Sequence, residues 1–336
     1  MNIKSLLLGS AAALAAVSGA HAADAIVAAE PEPMEYVRVC DAFGAGYFYI
    51  PGSETCLKIS GYVRFQVDMS ELLNDSDNVS ATAGNWNAKT RGLVTFATKS
   101  DTELGALGST ITVRAWGDQS SSSSLEIDEA FLTLGGFRAG YGYNYWDNGI
   151  VGETDALGSN RINQIGYEAT FGAIKAGLFV DELNNTTATN NDTWGVEGQI
   201  SGAFGPVKAY LLGGYDVDKE EGAIRGILSA AVGPGTLEGA VVYSSGTNAY
   251  FSTSEWAFAA AYEAKINDKI KVTPGFQYWD KLGFVDSANG WKAGVAVDYA
   301  ITKGFAAKVS AQYTDRDDKN NGDGYWAGYF RLQRSF

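Results

Sequence analysis

The sequence predicts an all-β fold, a 16-stranded antiparallel transmembrane β-barrel, on three observations. Segments of the chain alternate apolar and polar residues with a period of two. The apolar rows carry aromatic residues near both ends, where amphipathic rings favour the two interfaces of a bilayer. Connections fall into short turns and long polar loops that largely alternate along the chain, the layout of an outer-membrane barrel with short periplasmic turns and long extracellular loops. A soluble β-sandwich or propeller has no reason to segregate its loops this way.

Residues 57–68 set the pattern. Leu57, Ile59, Gly61, Val63, Phe65 and Val67 form an apolar face, and Lys58, Ser60, Tyr62, Arg64, Gln66 and Asp68 a polar one. About 12 residues at ~3.3 Å each reach across the ~30 Å of a bilayer core when tilted. Further strands are expected at 89–100, 109–117, 125–134, 137–143, 162–169, 173–182, 193–201, 207–216, 222–232, 236–243, 254–264, 269–279, 290–300, 305–313 and 324–336. Pro274 falls on the outward row of its strand, where it removes a ladder bond, so a bulge or a register one residue off is expected there.

Ahead of this barrel, Lys4, the apolar run 6–17 and the small-residue site Ala20-His21-Ala22 read as a secretory signal peptide over residues 1–22. Its removal takes away the single histidine, which weakens every Ser-His or His-metal mechanism. It also moves the formal charge from −14 to −15 by loss of Lys4, a poor balance for nucleic-acid binding. Beyond the signal there is no apolar run of the ~18 residues that a membrane helix needs. Residues 23–56 form an N-terminal extension that carries both cysteines. In an oxidising compartment Cys40 and Cys56 are expected as a disulfide, the rival being two buried thiols. A short hairpin is expected within 46–52, and the barrel domain spans 57–336.

No P-loop, nucleophile–base pair or metal-ligand cluster can be named, and neither enzyme activity, metal nor cofactor is expected. The connection 144–161 is long, has little β pattern, and carries Asp147, Glu153 and Asp155. Basic residues fall on inward rows nearby: Arg64, Arg91, Arg114 and Arg138, followed by Lys175, Lys208, Arg225, Lys271, Lys308 and Arg331. An acidic loop folded against a basic wall would make a narrow polar aperture. A solvated surface loop above locally paired lumen charges fits the residues equally well.

The segment 40–65, from Cys40 through Cys56 into Gly61-Tyr62-Val63-Arg64, resembles the alphaproteobacterial general porins of the rhizobial type. So do residues 32–39, 135–140 and the terminus ending at Phe336. The resemblance implies a homotrimer in the outer-membrane lipid that passes small hydrophilic solutes and ions. It implies a third loop folded inward as a constriction, with Asp147, Glu153 and Asp155 opposite Arg64, Arg91 and Arg114. It further implies that Phe336 is read by the barrel-assembly machinery. The reading is a general diffusion porin; its rivals are a solute-specific porin and a structural or adhesive barrel with a plugged lumen. The acidic loops and mouth predict weak cation selectivity.

Overall fold

The computed structural model describes residues 38–71, 86–117, 125–158, 160–184, 193–318 and 323–336. Residues Val39–Phe336 form one compact unit, to which all that follows belongs. The expected signal peptide lies outside the described residues.

A two-residue strand β1 (Phe48–Tyr49) precedes sixteen long strands: β2 (Cys56–Ser70), β3 (Trp86–Thr102), β4 (Gly105–Gly117), β5 (Leu125–Leu134), β6 (Phe137–Tyr143), β7 (Arg161–Phe171), β8 (Ile174–Glu182) and β9 (Trp194–Phe204). They continue as β10 (Val207–Asp216), β11 (Glu221–Val232), β12 (Gly235–Ser244), β13 (Ser254–Lys265), β14 (Ile270–Leu282), β15 (Asn289–Thr302), β16 (Phe305–Arg316) and β17 (Tyr325–Ser335). Each of the sixteen pairs antiparallel with the next, and β17 pairs with β2 to close the barrel. Closure removes the open edge that lipid could not satisfy.

At the seam, Phe336 and Gly61 exchange both backbone hydrogen bonds, at 3.0 and 3.1 Å. Gly61 has no room for a side chain: a Cβ there would lie 2.2 Å from the Leu93 carbonyl oxygen and 3.1 Å from the Phe336 ring. The terminal aromatic fills the outward position that this glycine leaves empty.

The apolar rows face outward, as predicted. Ile59, Val63, Phe65, Ile111, Leu211, Phe258 and Val309 are all exposed on the barrel's exterior. Two runs of ring contacts lie at the loop end of β12–β17, Tyr243–Trp256–Phe258 and Phe276–Trp291–Tyr313–Trp326, with centroids such as Tyr243–Trp256 and Tyr313–Trp326 at 4.7 and 5.3 Å. That is half of an aromatic belt. Pro274 sits in the outward row without a bulge or a slip. The pairs opposite Pro274 and Thr273 lapse on the β13 side, and the ladder resumes in the same register at Val272.

Cys40 and Cys56 form the disulfide, with Cα atoms 6.0 Å apart. The hairpin forms further along than the expected 46–52: Phe48 and Tyr49 pair with Leu57 and Cys56 at the start of β2, around a turn closed by Ile50 and Thr55. Cys56 lies on the inward side of β2, so the hairpin packs inside the wall, with Phe43, Tyr49 and Ala97 against Cys40, Tyr47 and Cys56.

Candidate functional site

After β6 the chain does not return directly to the wall. Asn144 accepts from the Trp146 amide at 3.2 Å and caps a single 3-10 turn, Tyr145–Asp147. Gly152 and Gly158 then take positive φ values of 95° and 89°, which side-chain-bearing residues rarely adopt, and turn the loop into the lumen.

Backbone groups inside a barrel need partners as much as those in a core. Inward side chains on six strands between β9 and β16 supply them here. Glu197 of β9 accepts from the Tyr145 amide with both oxygens at 3.2 Å, and the Asn148 amide group donates to Gln199 at 2.6 Å. Glu238 of β12 accepts from Val151 N at 2.7 Å. Gln277 of β14 bonds both the amide and the carbonyl of Ala156. At the far end Lys292 and Gln312 donate to the Glu153 carbonyl at 3.3 and 2.6 Å.

Arg225 of β11 is fully buried and holds both legs of the loop at once. Its guanidinium donates to the carbonyls of Trp146 (2.9 Å), Asn148, Leu157 and Gly158 (3.4 Å), and lies 4.6 Å from the Trp146 ring centre. A second loop packs behind the first. Asn248 accepts from the amides of Tyr250 and Phe251, the Tyr250 hydroxyl donates to Asp181 at 2.8 Å, and Asn160 donates to the Ala249 carbonyl. Trp146, Leu157, Tyr250, Phe251 and Trp279 thereby form an apolar core inside the barrel.

The three loop carboxylates do not form one acidic face. Glu153 reaches β16 and β17, pairing with Lys308 at 2.9 Å, with Arg331 at 3.9 Å. Burial would raise its carboxyl, but the Tyr329 hydroxyl beside it and the Lys308 and Arg331 charges outweigh burial and hold it below the usual range. Asp155 turns back under the loop, accepts from Ile150 N at 3.4 Å, and is pushed up by burial. Asp147 lines a cavity of about 930 Å³ together with Arg138, Glu168 and Lys175.

The wall arginines separate into two kinds. Arg114 is bonded to Glu126 and lies 2.8 Å from Asp128; Arg138 lies 3.8 Å from Glu129. Asp128 is the extra residue of a bulge in β5, which lets it and Glu129 both face inward. Arg64 and Arg91 are direct cross-strand partners held by neutral groups.

Sequence reasoning missed the clamp role of Arg225 and the second inward loop. The signal for the loop was Ala249-Tyr250-Phe251, an apolar cluster inside a polar connection that needs somewhere to be buried. Nothing in the alternation marks Arg225 off from Lys208 or Lys271.

Among known proteins, the chain matches the Porin subfamily over residues 24–331. The chain belongs to that porin family. It is 45% identical to outer membrane protein IIIA of Rhizobium leguminosarum bv. viciae, over 98% of this chain and 93% of that protein. It is 34% identical to porin Omp2a of Brucella melitensis, with both chains fully covered. The barrel resembles the crystal structure of the outer membrane channel DcaP of Acinetobacter baumannii, with a TM-score of 0.66, 13% identity, and 86% and 99% of the two chains covered; at that identity the likeness speaks to the fold. The protein is an outer-membrane porin, a multi-pass β-barrel channel for passive diffusion.

Proposed function

We propose that the loop 144–160, with its closing residue Arg161, is the constriction of a general diffusion channel for small hydrophilic solutes and ions. Asp147, Glu153 and Asp155 belong to its loop side, and Arg64, Arg91, Arg114 and Arg138 to its wall. The observation that carries the reading is the row of anchors along β9–β17, which holds the loop inside the lumen against one wall. An open path then lies between the loop and β2–β6.

The roles differ from residue to residue. Glu153 is the far anchor, Asp155 a buried brace, and Arg64 and Arg91 are the charges that permeating solutes meet. With Glu153 engaged by Lys308 and Arg331, the wall cations are not balanced by the loop. This arrangement favours anions, the opposite of the sign that the acidic loops suggested from sequence.

Residues 1–22 direct secretion, the extension 23–56 ends in the disulfide hairpin, and residues 57–336 are the barrel. Assembly as a homotrimer in outer-membrane lipid, through a barrel-assembly machinery that reads Phe336, rests on the resemblance to general porins.

Single-channel recording of refolded protein tests the reading. Discrete, ohmic steps are expected, with uptake of neutral sugars falling steeply with size. A barrel with no conductance would be a plugged structural protein instead.

A further inference from the structure

We propose that Arg64, Arg91 and Arg331 form a saturable binding site for small oxyanions, carboxylate or phosphate, on the open wall of the lumen. The proposal rests on the channel reading above and names the solute class that the channel retains in passing.

The three arginines lie on consecutive strands β17, β2 and β3. Arg64 stands directly opposite Arg91; on its other side it faces Gln333, two residues from Arg331. Like charges directly opposite in a sheet are destabilising, so this cluster needs another reason to exist. Each guanidinium is pinned on one edge by a neutral acceptor. Arg64 Nε donates to Gln333 Oε1 at 2.8 Å, Arg331 Nε to Gln66 Oε1 at 2.7 Å, and Arg91 Nη1 to the Tyr62 hydroxyl at 3.2 Å.

Each also has a face covered by an aromatic ring: Tyr62 lies 4.6 Å from Arg64, Tyr329 4.3 Å from Arg331, and Trp116 3.8 Å from Arg91. Glutamine, tyrosine and tryptophan fix direction without cancelling charge. Nε of Arg91 is buried and makes no hydrogen bond.

The carboxylates of the neighbourhood are engaged elsewhere. Asp68 pairs with Lys89 at 2.6 Å, Glu126 is bonded to Arg114, and Lys308 holds Glu153 at 2.9 Å and Asp298 at 3.2 Å. Glu153, held first by Lys308, also reaches Arg331 at 3.9 Å and offsets part of the charge of that one arginine, while Arg64 and Arg91 face no carboxylate in this way. What remains is a set of oriented planar donors of one sign. Such forks match the two oxygens of a carboxylate or phosphate, and chloride, with no such geometry, gains only from the charge.

The experiment is a block of chloride current through the whole channel in a planar bilayer, titrated with inorganic phosphate and, separately, malonate. The expected result is a saturable block by both. Arg64→Gln and Arg91→Gln should each raise the half-blocking concentration about tenfold, the loss of one charge-assisted bond. Arg91→Lys keeps the charge but loses the fork, and should fall between.

A wild-type current that phosphate leaves unchanged, or lowers linearly without saturation, overturns the proposal, and needs no variant to assemble. A saturable block that survives Arg64→Gln with Arg91→Gln also overturns it, because the site then lies elsewhere. Absence of any chloride conductance would instead count against the channel reading.

Discussion

The lumen has two unlike halves inside one regular wall. Along β8–β14 the inward residues that meet the two inward loops are buried, Asp181, Glu197, Arg225, Val242, Ala257 and Gln277 among them. Along β2, β3 and β17 the inward row stays open, and Arg64, Arg91 and Arg331 retain access to solvent. Both halves obey the same period of two and present the same apolar exterior. The difference lies in what the inward side chains meet, which is backbone in one half and water in the other. A barrel therefore needs two sets of inward residues, one to receive a loop and one to receive solutes.

The strongest way to break this division is Arg225→Met. Four loop carbonyls would lose their donor, and Trp146 its cover. Charge-assisted hydrogen bonds of this kind contribute roughly 1.5–3 kcal/mol each, so the loop should detach from its wall. Larger, noisier single-channel steps and faster proteolysis within the loop are expected. Wild-type step size in this variant would show that the remaining anchors suffice.

Gly61→Val attacks the wall that both halves share. Its Cβ would meet the Leu93 carbonyl and the Phe336 ring, an overpacking defect of about 1–3 kcal/mol at the closing seam. The heat-modifiable, folded fraction should drop on gels, while the channels that do assemble keep normal conductance. A change in conductance without loss of folded protein would contradict the separation of wall from filling.

A smaller effect is expected at the boundary between the halves. Glu153→Gln removes one of the two carboxylates on Lys308, which keeps Asp298, and the carboxylate 3.9 Å from Arg331, so one negative charge is lost from the open side. The backbone anchors from Lys292 and Gln312 stay, so step size should hold within about twofold. The reversal potential in a salt gradient should move further toward anions; a move toward cations would mean that Glu153 does not neutralise this corner.

The wall was legible in the sequence because lipid imposes one rule on every outward residue. Rows such as Phe305, Ala307, Val309, Ala311 and Tyr313 follow it without regard to their neighbours. Strand ends were less legible: β3 runs Trp86–Thr102 against an expectation of 89–100, since ladder pairing continues past the apolar band. The filling was hardest to read. Arg225 and Arg64 are the same residue type on the same kind of row, and only the path of a distant loop makes one a clamp and the other a free charge. Glu129 would alternate outward but for the bulge at Asp128, which no composition signal marks. The loop carboxylates were visible as residues; their engagement by Lys308, Arg331 and the Ile150 amide was not.

Acidification offers the finest test, because two carboxyls of one loop respond in opposite senses. Glu153 is held low, so its anchoring charge is present at neutral pH and is lost only as pH falls through a value below the ordinary range of about 4.3. Asp155 is held high by burial, so it takes up its proton at a pH above the ordinary value of about 3.9. The folded loop then binds that proton more tightly than an unfolded one, and protonation there stabilises the loop rather than loosening it. Between neutrality and about pH 4 the channel should therefore lose negative charge from Asp155 with its anchors intact. Anion preference rises slightly and step size stays constant, and Asp155→Asn removes the rise by supplying a neutral side chain at every pH. A jump in conductance within that same window would show that Glu153 lets go first, and that the loop is held on the open side less firmly than its contacts with Lys308, Lys292 and Gln312 indicate.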